Sequence, residues 1–108
     1  MTASTDPLDI LEATIRERLG GDPASSYVAR LASKGTAHIA QKVGEEATET
    51  LIAALTAPDK LASEAADLLF HLLVLLSDRG LSLDDVRAEL ARRAGVSGIE
   101  EKAGRFNQ

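Results

Sequence analysis

Apolar residues recur along this chain at intervals of three and four, and no stretch alternates with period two for long enough to argue a strand, so the pattern predicts an all-α fold. Asp6 followed by Pro7 has the form of an N-cap with proline at the first helical position. It opens a helix with Leu8, Leu11, Ile15 and Leu19 on one face, ended by Gly20-Gly21. Asp22-Pro23 reads as a turn. A shorter helix from about Ser25 to Ser33 then buries Tyr27, Val28 and Leu31, and Lys34-Gly35 breaks it. The third helix, about Thr36 to Leu55, places Ile39, Val43, Ala47, Thr50, Leu51 and Ala54 on one stripe. Pro58 suits the first position of a fourth helix to about Asp78, centred on Leu61, Ala65, Leu68, Leu72 and Leu76. Ser82 with Asp85 three residues on resembles a capping box for a fifth helix to about Arg93, with Leu83, Val86 and Leu90 as its apolar positions. The expected architecture is a four- to five-helix bundle over residues 1–94. Residues 95–108 carry three glycines and little periodicity, which predicts a short, loosely ordered C-terminal tail or docking segment.

Length changes this picture. The stretch Ala65 to Leu76 reads AADLLFHLLVLL and is apolar nearly all round, which demands more cover than a 108-residue chain readily supplies. A homodimer sharing its core is therefore expected. Net charge is −5, with no Lys/Arg run and no interleaved aromatics, so a nucleic-acid groove is not expected. There is no cysteine, which removes disulfides, thiol catalysis and zinc-thiolate sites and fits a reducing cytoplasm. The N-terminal TASTDPLDILEATI lacks a basic region before an apolar run, so no signal peptide is expected. No apolar run approaches the roughly 18 residues that a membrane span needs.

The polar residues that interrupt the apolar helices carry the candidate chemistry. Glu45, Glu46 and Glu49 lie on the third helix, and Glu64, Asp67 and His71 lie on one flank of the fourth. Taking Ile39 as reference, Glu46 falls about 20° away, inside the apolar arc. Two carboxylates about 4 Å apart repel by roughly 4 kcal/mol at an effective dielectric near 20. Such groups are protonated, paired with bases or bound to a cation. The nearby bases are chiefly Lys42 and His71, so a cation is the economical reading. An all-oxygen ligand set suits Mg²⁺ or Mn²⁺ better than Zn²⁺. Such a centre matches what a phosphoanhydride requires: its anionic oxygens neutralised, its leaving group stabilised and a water placed in line.

The segments EEATE and EAAD give Glu-x-x-Glu, then fourteen residues, then Glu-x-x-Asp. This resembles the all-α nucleotide pyrophosphohydrolase superfamily, the MazG-like enzymes. The longer strings SYVARLASKGTAHIAQKVGEEATE and EAADLLFHLLVLLSDRGLSLDDVRAEL resemble, within it, the phosphoribosyl-ATP pyrophosphatase family, over about Leu8 to Arg93. The resemblance implies Mg²⁺-dependent hydrolysis of 1-(5-phospho-β-D-ribosyl)-ATP between its α and β phosphates, the second step of histidine biosynthesis. It also implies that Glu46, Glu49, Glu64 and Asp67 ligate the metal and that Tyr27 or Ser26 contacts the nucleotide. Glu45, off the ligand face, is placed to orient or deprotonate the attacking water. Lys42 and Lys34, the latter beside Gly35, are candidates for neutralising phosphate.

Plainer readings stand beside each of these. His71 either satisfies Asp67 through a buried hydrogen bond or orients it as a metal ligand. Lys42 and Glu46 form an ordinary helical ion pair if no phosphate is involved. Gly44 inside a helix marks close approach of a ligand or backbone, or merely close packing. Tyr27 fits a core residue with its hydroxyl at the rim. The competing functions are a house-cleaning hydrolase of non-standard or excess (deoxy)nucleoside triphosphates and a non-catalytic helical dimer. A carboxylate-bridged di-iron bundle needs Glu-x-x-His pairs, and none occurs here.

Overall fold

Local chemistry sets where each helix starts. In the computed structural model, which describes residues 4–95 together with Gly98, Lys102 and Gly104, Asp6 caps α1 (Pro7–Arg18) by accepting from the Leu8 amide at 3.0 Å. The Asp22 main-chain carbonyl receives the Ser25 and Ser26 amides, which turns the chain into α2 (Tyr27–Lys34). Ser26 caps that helix through the Ala29 amide at 3.2 Å. Helix α2 and the long α3 (Thr36–Thr56) are separated by Gly35 alone, at φ 94° and ψ 167°, a backbone region essentially restricted to glycine. A single 3₁₀ turn, Pro58–Lys60, leads into α4 (Leu61–Asp78). Ser82 and Asp85 form the expected capping box at the start of α5 (Leu83–Arg93). Among the described residues there is no strand, and no helix is long and apolar enough to cross a membrane. The expectation for the tail falls mostly outside the described residues; Gly98, Lys102 and Gly104 are helical.

Helices α3 and α4 form an antiparallel hairpin, tied at two levels. At the open end the Thr36 hydroxyl donates to Asp78 Oδ2 at 2.6 Å. Toward the closed end, the Thr50 hydroxyl lies 2.8 Å from the Glu46 carbonyl and 3.2 Å from the Glu64 carbonyl, bridging the two backbones. The core is small: Ile15, Ile39 and Val74 are fully enclosed, with Val28, Leu31 and Leu73 around them and Leu8, Leu11, Leu19 and Phe70 against it. Each of those enclosed side chains contributes about 1.5–3 kcal/mol. Helix α5 is held to α1 largely by polar contacts. Glu12 accepts the Leu83 amide at 2.7 Å, and Arg87 pairs with Asp9 at 2.8 Å.

The apolar stripes are rotated from the sequence expectation. On α3, Ile39, Glu46 and Ala53 are buried, whereas Leu51 is 66 % exposed and Ala54 is also outside. On α4 the buried positions are His71, Leu73 and Val74; Leu72, expected at the centre, lies at the surface. Helices this apolar offer two usable faces, and packing against α1 and α2 selects one of them. The other face stays uncovered: Leu51, Ile52 and Leu55 on α3 and Leu69 and Leu72 on α4 are all exposed.

Candidate active site

The turn tethered by Thr50 brings the acids of both helices together. Glu46, Glu64 and Asp67 each offer an oxygen, and the three oxygens lie within 4.8 Å of one another. Burial falls off across the set. Glu46 is buried at 8 % exposure, Glu64 is half-buried and Asp67 is exposed, although its neighbours in sequence are apolar. The physical reason is that the core gathers along the C-terminal half of α4, from Phe70 onward, and leaves the first two turns covered chiefly by α3. Glu49, one turn after Glu46 and exposed, lies outside this close trio. It lines a shallow depression with Glu64, Ala53 and Lys60 at the same end of the hairpin.

At an effective dielectric near 20, two full charges 4.8 Å apart repel by about 3.5 kcal/mol. Glu46 carries a further penalty of its own. Burial, followed by the adjoining Glu49 carboxylate, pushes its pKa above the usual carboxylate value, against the opposing pull of His71 and Lys42. Its Oε2 is buried with no hydrogen-bond partner, a costly arrangement for an ionised group. A divalent cation fits this donor set: all ligand atoms are oxygen, one of them is buried and unsatisfied, and the neighbours are anionic.

His71 is buried directly behind the acids. Its Nδ1 lies 2.8 Å from the Asp67 main-chain carbonyl rather than its carboxylate, and its Nε2 lies 2.9 Å from the Tyr27 hydroxyl. A carbonyl only accepts, so Nδ1 carries a proton toward Asp67, and Nε2 shares the second hydrogen bond with the Tyr27 hydroxyl. Tyr27 departs from the expected core placement: the residue is 44 % exposed, its ring stacks on Phe70 and its hydroxyl reaches the buried His71. This link between α2 and the Asp67 turn spans 44 positions of sequence, and no local pattern reveals it.

The expected phosphate-neutralising residues lie on the other side of Glu46. Lys42 Nζ is 3.1 Å from Glu45 Oε2 and 3.9 Å from Glu46 Oε1, so its nearer partner is Glu45 rather than Glu46. Glu45, exposed, also accepts from Gln41 at 3.1 Å. Gln41 and Lys42 together hold its pKa below the ordinary value. Lys42, Glu45, Lys34 and Tyr27 line an open cleft of about 280 Å³, together with Arg30 and His38. Sequence reading missed these last two. They stand one turn before Lys34 and Lys42, and that i, i+4 spacing of bases on consecutive helices was the available signal. Ser26, by contrast, is engaged in capping α2. Gly44 faces open space among the described residues, so no packed backbone accounts for it.

Comparison with known proteins decides between the superfamily's branches. The family model described as phosphoribosyl-ATP pyrophosphohydrolase matches residues 8–94, nearly the whole helical region. The chain belongs to this family. A phosphoribosyl-ATP pyrophosphatase of Erythrobacter litoralis is 65 % identical over 99 residues, covering 91 % of this chain and 95 % of the relative. One from Novosphingobium aromaticivorans is 64 % identical over 98 residues, covering 90 % and 92 %. The protein of that name from Bordetella parapertussis is 53 % identical over 112 residues, covering 97 % of each.

Proposed function

We propose that this enzyme hydrolyses 1-(5-phospho-β-D-ribosyl)-ATP to the corresponding AMP derivative and pyrophosphate, in the cytoplasm and as part of histidine biosynthesis. The observation that carries the reading is the close acidic trio of Glu46, Glu64 and Asp67, with its buried unsatisfied oxygen, flanked by a cleft rich in bases. The names of the relatives favour phosphoribosyl-ATP over the house-cleaning substrates. In the reaction a water oxygen bonds to phosphorus as the α–β bridging bond breaks. The departing phosphate keeps the bridging oxygen and its electron pair, and the protons of the water pass to solvent or a nearby base.

Glu46, Glu64 and Asp67, with Glu49 at the rim, would hold the cation, Mg²⁺ or Mn²⁺. When bound, the cation supplies positive charge against the phosphate oxygens and acidifies nearby water. The chain's own residues set up the rest. Thr50 fixes the two acidic turns at one spacing. Lys42 lies between the acids and the cleft, placed to exchange Glu45 for a phosphate oxygen. Glu45, once released, faces the same space as a partner for the attacking water. Its lowered pKa keeps it ionised and able to accept a hydrogen bond, while making it a weak proton acceptor. His71 holds the Asp67 turn from behind by its main-chain carbonyl, with Tyr27 securing the ring.

The exposed Leu51, Ile52, Leu55, Leu69 and Leu72 support a homodimer joined along the α3–α4 hairpin. Pyrophosphate release measured on phosphoribosyl-ATP and on a panel of nucleoside triphosphates, with and without Mg²⁺, tests the function. Selective, Mg²⁺-dependent release from phosphoribosyl-ATP is the expected result. Turnover of dCTP or dUTP without turnover of phosphoribosyl-ATP overturns it.

A further inference from the structure

The cleft beside the acids holds more bases than the two lysines, Lys34 and Lys42, expected from the sequence to neutralise phosphate. Arg30 and Lys34 reach it from α2, and His38 and Lys42 from α3, each pair one turn apart. In a chain of net charge −5, this is a local reversal of sign adjoining the acidic trio. Among the described residues, Glu45 is the only acid lining it. Lys42 marks where the two regions meet, 3.9 Å from Glu46.

We propose that this cleft holds the β,γ-diphosphate of the substrate, the part released as pyrophosphate, with Arg30 and Lys34 as binding residues and His38 donating a further hydrogen bond. The inference rests on the hydrolase reading above and adds a direction to it: the substrate's triphosphate runs from the acidic trio along Lys42 toward α2. Proximity selects the diphosphate over the ribosyl 5-phosphate. The diphosphate is bonded to the reacting α-phosphate and must lie immediately beside the acids, as the cleft does. The ribosyl phosphate is attached across the adenine ring, far from the cleaved bond. Arginine and lysine suit the multiply charged diphosphate, arginine through its two-pronged donor edge and lysine as a mobile point charge. Glu45 opposes such a ligand, so its pairing with Lys42 and Gln41 is the contact that diphosphate displaces.

Calorimetric titration of the full chain with pyrophosphate at saturating Mg²⁺ tests this without reference to turnover. Lys34→Ala and Arg30→Ala are each expected to weaken pyrophosphate binding about tenfold or more, the loss of one charged hydrogen bond. Product inhibition by pyrophosphate should weaken by the same factor. Arg30 also donates to the Pro23 carbonyl at 3.2 Å, so Lys34→Ala, which leaves that contact intact, guards against a folding artefact. Glu45→Gln should tighten pyrophosphate binding. Unchanged pyrophosphate affinity in both alanine variants overturns the proposal. If they instead lose kcat/KM only on phosphoribosyl-ATP and keep it on plain nucleoside triphosphates, the cleft serves the ribosyl phosphate, and the proposal is likewise overturned. Failure of the hydrolase reading has a different signature: no turnover of phosphoribosyl-ATP by the wild-type chain, with pyrophosphate binding still sensitive to Lys34→Ala.

Discussion

Replacing Glu46 by glutamine removes one charge from the acidic trio while keeping the side chain's size. Glu64 and Asp67, each with an oxygen within 4.8 Å, repel it by about 3.5 kcal/mol apiece at an effective dielectric near 20, and the adjoining Glu49 carboxylate adds to this. The exposure of Asp67 and partial exposure of Glu64 screen much of this, and the weak 3.9 Å contact to Lys42 offsets about 0.2–0.5 kcal/mol. A net gain of about 1–3 kcal/mol in the metal-free protein is expected. For a domain of this size each 1 kcal/mol shifts Tm by about 4–8 °C. Thermal unfolding followed by circular dichroism in EDTA should therefore show Glu46→Gln melting about 5–20 °C above the wild type. In millimolar Mg²⁺ the order should narrow or reverse, because the cation relieves in the wild type what the substitution has already removed. Pyrophosphate release by the variant should be abolished. A variant that melts at or below the wild type in EDTA, or that retains turnover, refutes the reasoning.

The same group sets a pH dependence. Its folded-state pKa is raised above 4.5, so the stability it contributes is present below 4.5 and is lost as pH rises through the raised value. The stability advantage of Glu46→Gln over wild type in EDTA should grow over that interval, and Mg²⁺ affinity of the wild type should fall as pH drops through it. An advantage that does not change with pH speaks against the buried, repelled carboxylate. Thr50→Val should cost about 0.5–1.5 kcal/mol by losing the hydroxyl bridge to the Glu46 and Glu64 carbonyls, with a larger loss of metal affinity than of stability; intact Mg²⁺ affinity by calorimetry contradicts that role. Gly35→Ala should destabilise by about 1–3 kcal/mol in urea melts, because φ 94° with ψ 167° strains any side chain. Gly44→Ala should do the reverse, adding about 0.5–1 kcal/mol, since nothing described lies near its added methyl; a loss of activity there without loss of stability would place substrate or a second copy of the chain against it.

Helix positions were legible because their signals are local. Asp6-Pro7, Ser82 with Asp85, and Gly35 each act within a few residues, and the structure places caps and breaks there. The second helix begins at Tyr27 rather than Ser25, because Ser25 and Ser26 direct their amides back to the Asp22 carbonyl in the preceding turn. Legible too was the convergence of Glu46, Glu64 and Asp67, since one-turn spacing puts Glu64 and Asp67 on one flank of α4 facing Glu46 across the hairpin, whereas Glu49, expected with them, lies outside the trio. The choice of buried face was not. Leu51 and Leu72 carry the same hydropathy signal as Ile39 and Leu73, and only the third dimension, through α1 and α2, separates them. Long-range contacts were equally hidden: Tyr27 to His71, and the second acceptor of Thr50, depend on how helices pack rather than on any spacing within one.

The central claim is that oxygens of Glu46, Glu64 and Asp67 share one divalent cation. Crystals grown with Mn²⁺, measured at a wavelength where manganese scatters anomalously, test it most directly. The account predicts an anomalous peak within bonding distance of all three carboxylates. Manganese bound elsewhere, or no peak between α3 and α4 at saturating metal, contradicts it.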